Sequence, residues 1–252
     1  MPGINHSQWR DPVRLVENPP VLCLLHHAGG SAALYTHWQP HFPAHWSVHC
    51  LELPDRARPD NRAAPLSTPG QLAKRLLEKI PNGDGPLALF GHSMGAVVAC
   101  EVAQQLVQRG RPPAWIGLSS CAAPQVLSTR DHLHELSDTE LRAALHSLGG
   151  TPKEVLNDLE LWESFGPAIR RDLKAAETWQ GPSTRIDVPF SVFGGCDDQN
   201  TPPSHLHGWE RHLGTFLGVR IYPGDHFYLT AWADLLVQQI QLDLLTSTRP
   251  HT

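Results

Sequence analysis

A chain of 252 residues can bury one large α/β core and is short for two equal domains. Its formal charge of -5 includes only 20 Lys and Arg, scattered along the sequence, which excludes the concentrated positive field that nucleic acid or an anionic membrane surface requires. No uncharged apolar run approaches the ~18 residues of a membrane span, the first residues lack a basic stretch followed by an apolar one, and the five cysteines show no C-x-x-C spacing; the expectation is a cytosolic protein with reduced, structural thiols.

After a polar start to about Asn18, the first core strand is Val21 to Leu25, which runs into His26-His27-Ala28-Gly29-Gly30-Ser31. Ala33 to Phe42 reads as a helix and Val48 to Leu51 as a second strand ending at Pro54-Asp55-Arg56, before a solvated loop from Ala57 to Pro65. Ser67 or Thr68 caps a helix to about Lys79. A short apolar run from Leu87 then meets Gly91-His92-Ser93-Met94-Gly95, and Met94 to Arg109 has a helical pattern. Ala114 to Ser119 is a fourth strand. From about 129 to 180 no strand is convincing, and three helical patterns appear near Asp138 to His146, Lys153 to Phe165 and Pro167 to Trp179. This stretch reads as a helical lid inserted into a single domain spanning 1–252; ordinary crossover helices are the alternative, although a crossover needs only one helix. Phe190 to Phe193 and Arg220 to Tyr222 complete the sheet, and Phe227 to Leu244 forms a terminal helix. The alternation predicts an α/β fold with a mostly parallel central sheet and helices on both faces.

A serine flanked by glycines two residues away on each side, between an apolar strand and a helix, has the form of a nucleophile elbow. So tight a turn leaves no room for a Cβ at the flanking positions and exposes Ser93 at its apex. A serine hydroxyl is a poor nucleophile until a base takes its proton, so the elbow requires an acid and a histidine later in the chain, in the order Ser, Asp, His. Asp197 and Asp198 lie just past one strand and His226 just past the next, and in open parallel sheets the site lies at these carboxyl ends. Asp198 is favoured because Asp198-Gln-Asn-Thr-Pro202 reads as a turn into a helix opened by proline. For the oxyanion, the template supplies backbone N–H donors from the residue after the nucleophile, Met94, and from the loop after the first strand, Ala28. His26 and His27 read as packing or hydrogen-bonding groups, and His132-x-His134 and His205-x-His207 as solvent-exposed histidines, not metal ligands. Apolar positions at Leu145, Leu148, Leu156, Leu159, Leu161, Trp162, Phe165, Ile169 and Trp179 are expected to roof a cavity.

From about Leu22 to Leu236 the sequence resembles the type II (editing) thioesterases that accompany polyketide synthases and nonribosomal peptide synthetases. The resemblance rests on Ala28-Gly-Gly-Ser31 with Tyr35 and Trp38, Leu53-Pro-Asp-Arg56, Gly91-His-Ser-Met-Gly-Ala96, Phe165-Gly-Pro-Ala-Ile-Arg-Arg-Asp-Leu-Lys174 with Glu177, Gly195-x-x-Asp198 and Gly224-x-His226-Phe227. It implies an α/β-hydrolase fold with a mobile helical lid, a triad of Ser93, Asp198 and His226, an oxyanion hole at Ala28 and Met94, and no cofactor or metal. The implied reaction is hydrolysis of stalled or mis-primed acyl groups from the phosphopantetheine arm of acyl or peptidyl carrier proteins; a monomer is expected. Two departures from the family stand out: Asp55 stands where it has glycine, and Leu25-His26-His27 where it has an aromatic residue and a proline. Arg56, Arg58 and Arg62 are candidates for a local carrier-binding patch. A small-molecule carboxylesterase or lipase would share this machinery and differ in the 165–177 segment. A non-hydrolytic receptor on the same fold would not need all three triad residue types.

Overall fold

The computed structural model describes residues 18–54, 66–127 and 132–248. Six strands, β1 (Val21–Leu25), β2 (Ser47–Leu51), β3 (Leu87–His92), β4 (Trp115–Ser119), β5 (Phe190–Gly195) and β6 (Phe216–Tyr222), form one sheet in the order β2-β1-β3-β4-β5-β6. Every pair is parallel. The four inner strands are buried along their whole length, as continuous apolar runs covered on both faces should be, while β2 and β6 at the edges are half-buried.

Strand alternation divides the core between two faces. Cys23, Leu25 and Leu89 point to one face, where they pack with α1 (Pro69–Leu76) and α2 (Met94–Gln108). Leu22, Leu24 and Phe90 point to the other, where they meet Tyr35, Trp38 and α7 (Ala233–Ser247). A buried polar chain fastens α7: Trp115 Nε1 donates to Ser191 Oγ at 3.1 Å, and Ser191 Oγ donates to Asp243 Oδ2 at 2.6 Å. Between β4 and β5 stand α3 (Pro124–Leu127), α4 (Asp138–Leu148), α5 (Lys153–Asn157) and α6 (Leu159–Glu177). The last three carry their own core of Leu141, Leu145, Leu156, Trp162, Ile169 and Leu173.

Several expected boundaries move. Residues 32–41 form a 3-10 helix with Tyr35 and Trp38 buried; their spacing of three suits a three-residue turn, and Pro40 lies within it. The helix capped by Thr68 ends at Leu76, three residues early, and the last helix starts only at Ala233, after a 3-10 turn at Tyr228–Thr230. The helices between β4 and β5 divide at Asp158, whose carboxylate caps Leu161 N–H at 2.9 Å, so Pro167 lies inside α6 and does not end it. A mid-helix proline costs about 3 kcal/mol; burial of Trp162, Ile169 and Leu173 on either side offsets it. The loop 57–65, with Arg58 and Arg62, the residues Asp55 and Arg56, and the expected start of the lid at 129 lie outside the described residues. None of the five cysteines is in a disulfide, and burial pushes the Cys23 thiol up to about 12. Among the described residues no helix is long and apolar enough to cross a membrane.

Candidate active site

β3 runs straight into Ser93, whose backbone sits at φ 56° and ψ -119°, and α2 begins at the next residue. A side-chain-bearing residue adopts such geometry only when its surroundings enforce it. Here a Cβ on Gly91 would lie 2.1 Å from the Gly95 carbonyl oxygen, and one on Gly95 would lie 2.2 Å from that of Leu25. Glycine at both positions lets β1, the turn and α2 close on one another. Ser93 N–H donates to Ser119 O at 2.7 Å and pins the turn to the end of β4.

The acid and the histidine come from the next two strand ends. Asp198 and His226 are both buried, and Asp198 Oδ2 accepts from His226 Nδ1 at 2.8 Å. The other carboxylate oxygen accepts from Asn200 N–H at 2.9 Å and Thr201 N–H at 2.8 Å. Burial alone would raise the Asp198 carboxyl; the hydrogen bond and charge of His226, with Thr201 N–H and Ser120, hold it below its ordinary value. Asp197 is exposed, and among the described residues its carboxylate accepts only from its neighbour, the Cys196 thiol, at 3.2 Å. Of the two adjacent acids, Asp198 is the one that reaches the histidine. With Nδ1–H committed to that carboxylate, Nε2 is the nitrogen able to accept a proton.

Ser93, His226, Ala28 and Met94 line one pocket at the carboxyl edge of the sheet. Met94 N–H is the first of the N-terminal amides of α2, which have no acceptor within the helix. His27, Ser120, Thr201 and Phe227 stand beside them, and Leu145, Leu148, Leu173, Ala176 and Glu177 close the pocket from α4 and α6. The expected roof is thus corrected. Of the nine apolar positions only Leu145 and Leu148 reach this pocket, because Leu156 and Trp162 are spent on the core of the helices between β4 and β5 and Leu159 and Leu161 point to solvent. Phe165 and Ile169 line a neighbouring cavity that shares His27 and Thr151 with the first, and Trp179 packs on the main core with its Nε1 donating to Glu101.

Several residues at the site were not singled out by spacing. Ser120, at φ 44°, donates to His226 O at 3.4 Å, and nothing in the sequence after β4 marks it. His92 is fully buried, with Nδ1 2.9 Å from Ser119 Oγ and its ring 5.0 Å from that of His226; burial first, then His226 and His27, hold it well below the ordinary histidine value. His132 and His134 are half-buried, not solvent-exposed. With Glu135 they offer three ligand atoms within 4.8 Å of one another, the two rings standing 5.2 Å apart at 26°. His134 Nδ1 meets Glu177 Oε2 at 2.6 Å.

A strained serine elbow and a buried acid–histidine pair at the carboxyl edge of a parallel sheet define a serine hydrolase of the α/β-hydrolase class. The family model for the thioesterase domain matches residues 20–242, and the chain belongs to that family. It is 37% identical over 213 residues to the thioesterase PikA5 of Streptomyces venezuelae, covering 82% of this chain and 75% of that one. Among solved structures, the type II thioesterase BorB of a borrelidin biosynthetic cluster superposes with a TM-score of 0.75 at 35% identity, over 90% of this chain and 93% of the other. YbtT, a type II thioesterase of a yersiniabactin pathway, superposes with a TM-score of 0.80 at 30% identity, over 92% and 96% of the two chains. The protein is accordingly a hydrolytic thioesterase of the type II group.

Proposed function

We propose that this thioesterase releases acyl or peptidyl groups from the phosphopantetheine arm of carrier proteins through a seryl acyl-enzyme. Ser93 Oγ bonds to the thioester carbonyl carbon while His226 Nε2 takes its proton, and the tetrahedral oxyanion is received by Ala28 N–H and Met94 N–H. Collapse breaks the carbon–sulfur bond, and the His226 proton passes to the leaving sulfur. Water, deprotonated by His226, then attacks the acyl-enzyme and returns Ser93. Asp198 holds the imidazole tautomer throughout and stabilises the imidazolium. The observation that carries this reading is the 2.8 Å contact from Asp198 to His226, which lines one pocket with the strained Ser93 elbow.

The helices between β4 and β5 act as the lid, and the pocket they close is apolar enough for acyl chains of varied shape. The assignment to carrier-bound substrates draws on the biosynthetic clusters named for the relatives, and the editing role, a monomeric state and a cytosolic setting belong to the same reading. In the test, Ser93→Ala should lower kcat by ~10⁴ or more with the fold retained. One acyl group is then offered on a carrier protein, on a free pantetheine mimic and as a p-nitrophenyl ester. Higher kcat/KM on the carrier, after allowing for leaving-group reactivity, supports the proposal. Equal efficiency on carrier and mimic together with a strong preference for the oxygen ester would point to a small-molecule esterase.

A further inference from the structure

The amide assigned to the oxyanion, Ala28 N–H, belongs to the peptide joining His27 to Ala28. The carbonyl of that peptide, His27 O, accepts from His26 Nδ1 at 2.9 Å and from Gly30 N–H at 3.1 Å. His26 is wholly buried, and its Nε2 accepts from Leu53 N–H at 3.2 Å and lies 3.4 Å from Glu52 Oε2. The next peptide, joining Ala28 to Gly29, is held at both ends as well. Its carbonyl accepts from His27 Nδ1 at 2.9 Å, and its N–H donates to Asp172 Oδ2 at 3.0 Å. Two successive peptide planes therefore have every polar group engaged except Ala28 N–H, which has no protein partner among the described residues and borders the Ser93 pocket.

Asp172 reaches this loop from 143 positions away, out of the middle of α6, and is 8% exposed. One turn earlier on the helix, Ile169 lies against the same glycine: a Cβ on Gly29, at φ 71°, would fall 2.9 Å from Ile169 Cγ1. The lid helix thus grips Gly29 by its amide and by its bare Cα.

We propose that Asp172 and His26 are positioning residues for the oxyanion hole, and that Asp172 makes the hole's geometry conditional on α6 being seated. An oxyanion donor contributes only if it already points where charge will develop. A peptide plane free to rotate loses that aim, and a carboxylate on the following N–H, with an imidazole on the preceding carbonyl, removes the rotation. The inference rests on the assignment of Ala28 to the oxyanion hole made above. It also gives His26 and His27 a task, since each donates a ring N–H to a carbonyl of this loop.

The test compares Asp172→Ala with Asp172→Asn, since the asparagine carbonyl can still accept from Gly29 N–H. For a thioester with an unchanged acyl group, Asp172→Ala should lower kcat by about 10-fold to 100-fold, within the loss seen when an oxyanion donor is removed outright. KM should change little, and Asp172→Asn should recover most of the rate. Affinity for a trifluoromethyl ketone, whose adduct with Ser93 carries an oxyanion, should fall in proportion to kcat. His26→Leu should show the same signature from the other plane. A proportional rise in KM at constant kcat, or loss of kcat with unchanged ketone affinity, would overturn the proposal, as would wild-type kinetics in both Ala and Asn variants. If Ser93→Ala remained active, the serine mechanism itself would fail; a Ser93-dependent enzyme indifferent to Asp172 would sink only the clamp.

Discussion

At the scale of single residues, the site separates groups that differ by one position in the chain. Asp198→Asn should cripple turnover by about 10⁴, because the amide no longer fixes the His226 tautomer, whereas Asp197→Asn, on the exposed side of the turn, should remain near wild type in kcat. Steady-state kinetics on both variants checks the pair; the reverse order would move the acid to Asp197. His92 makes a different contribution. In the folded protein it stays neutral, whereas in the unfolded chain it takes up a proton as pH falls through about 6.5. The unfolded state then binds more protons, so this residue removes stability on acidification, by up to about 1.4 kcal/mol per pH unit. Denaturant unfolding between pH 8 and pH 5 should show a shallower loss in His92→Asn than in the wild type. Ser93, Asp198 and His226 were legible in the sequence because each occupies a strand end of fixed chemical form. His92, Ser120 and Asp172 were not, since their roles arise only from what the fold sets beside them.

At the scale of elements, the inner strands were legible as apolar runs, and the helices only where a cap or a period marked them. Pro167 misleads because local propensity opposes a helix there, while Trp162, Ile169 and Leu173 sustain it through burial. The 165–177 segment also contains the ties of the helical insertion. Arg170 Nη1 donates to His134 O and Leu136 O, both at 2.6 Å, and Glu177 accepts from Leu133 N–H at 3.0 Å and His134 N–H at 3.1 Å. Arg170→Ala strips these two carbonyls of a charged donor and should cost about 1–3 kcal/mol. Limited proteolysis should then cut faster near residues 132–138, and an unchanged cleavage rate would show the tie to be dispensable. At the elbow, Gly95→Ala drives a Cβ against backbone that cannot yield, and should lower the yield of folded protein as well as activity; an active, fully stable variant would contradict the packing of α2 on β1.

At the scale of the whole molecule, the sheet divides the protein into two cores, and the insertion supplies a third. Asp243 links the second core to the sheet while 4% exposed, so Asp243→Ala should destabilise by about 3 kcal/mol with kcat preserved in the folded fraction, as read by denaturant unfolding alongside kinetics. The chain leaves the sheet after β4 and returns at β5, and those strands are hydrogen-bonded to each other from Ile116 opposite Phe190 to Ser119 opposite Phe193. The sheet therefore needs only a crossover between them; Ala122, Ala123, Leu127, Ala175 and Trp179 of that crossover belong to the main core, whereas the part from α4 into α6 packs on a core of its own and is the exchangeable part. An engineer could graft a relative's cover onto this chassis to alter which acyl chains fit. The graft would have to bring its own acceptor for the Gly29 amide, or the hybrid would bind its new substrate and turn it over slowly.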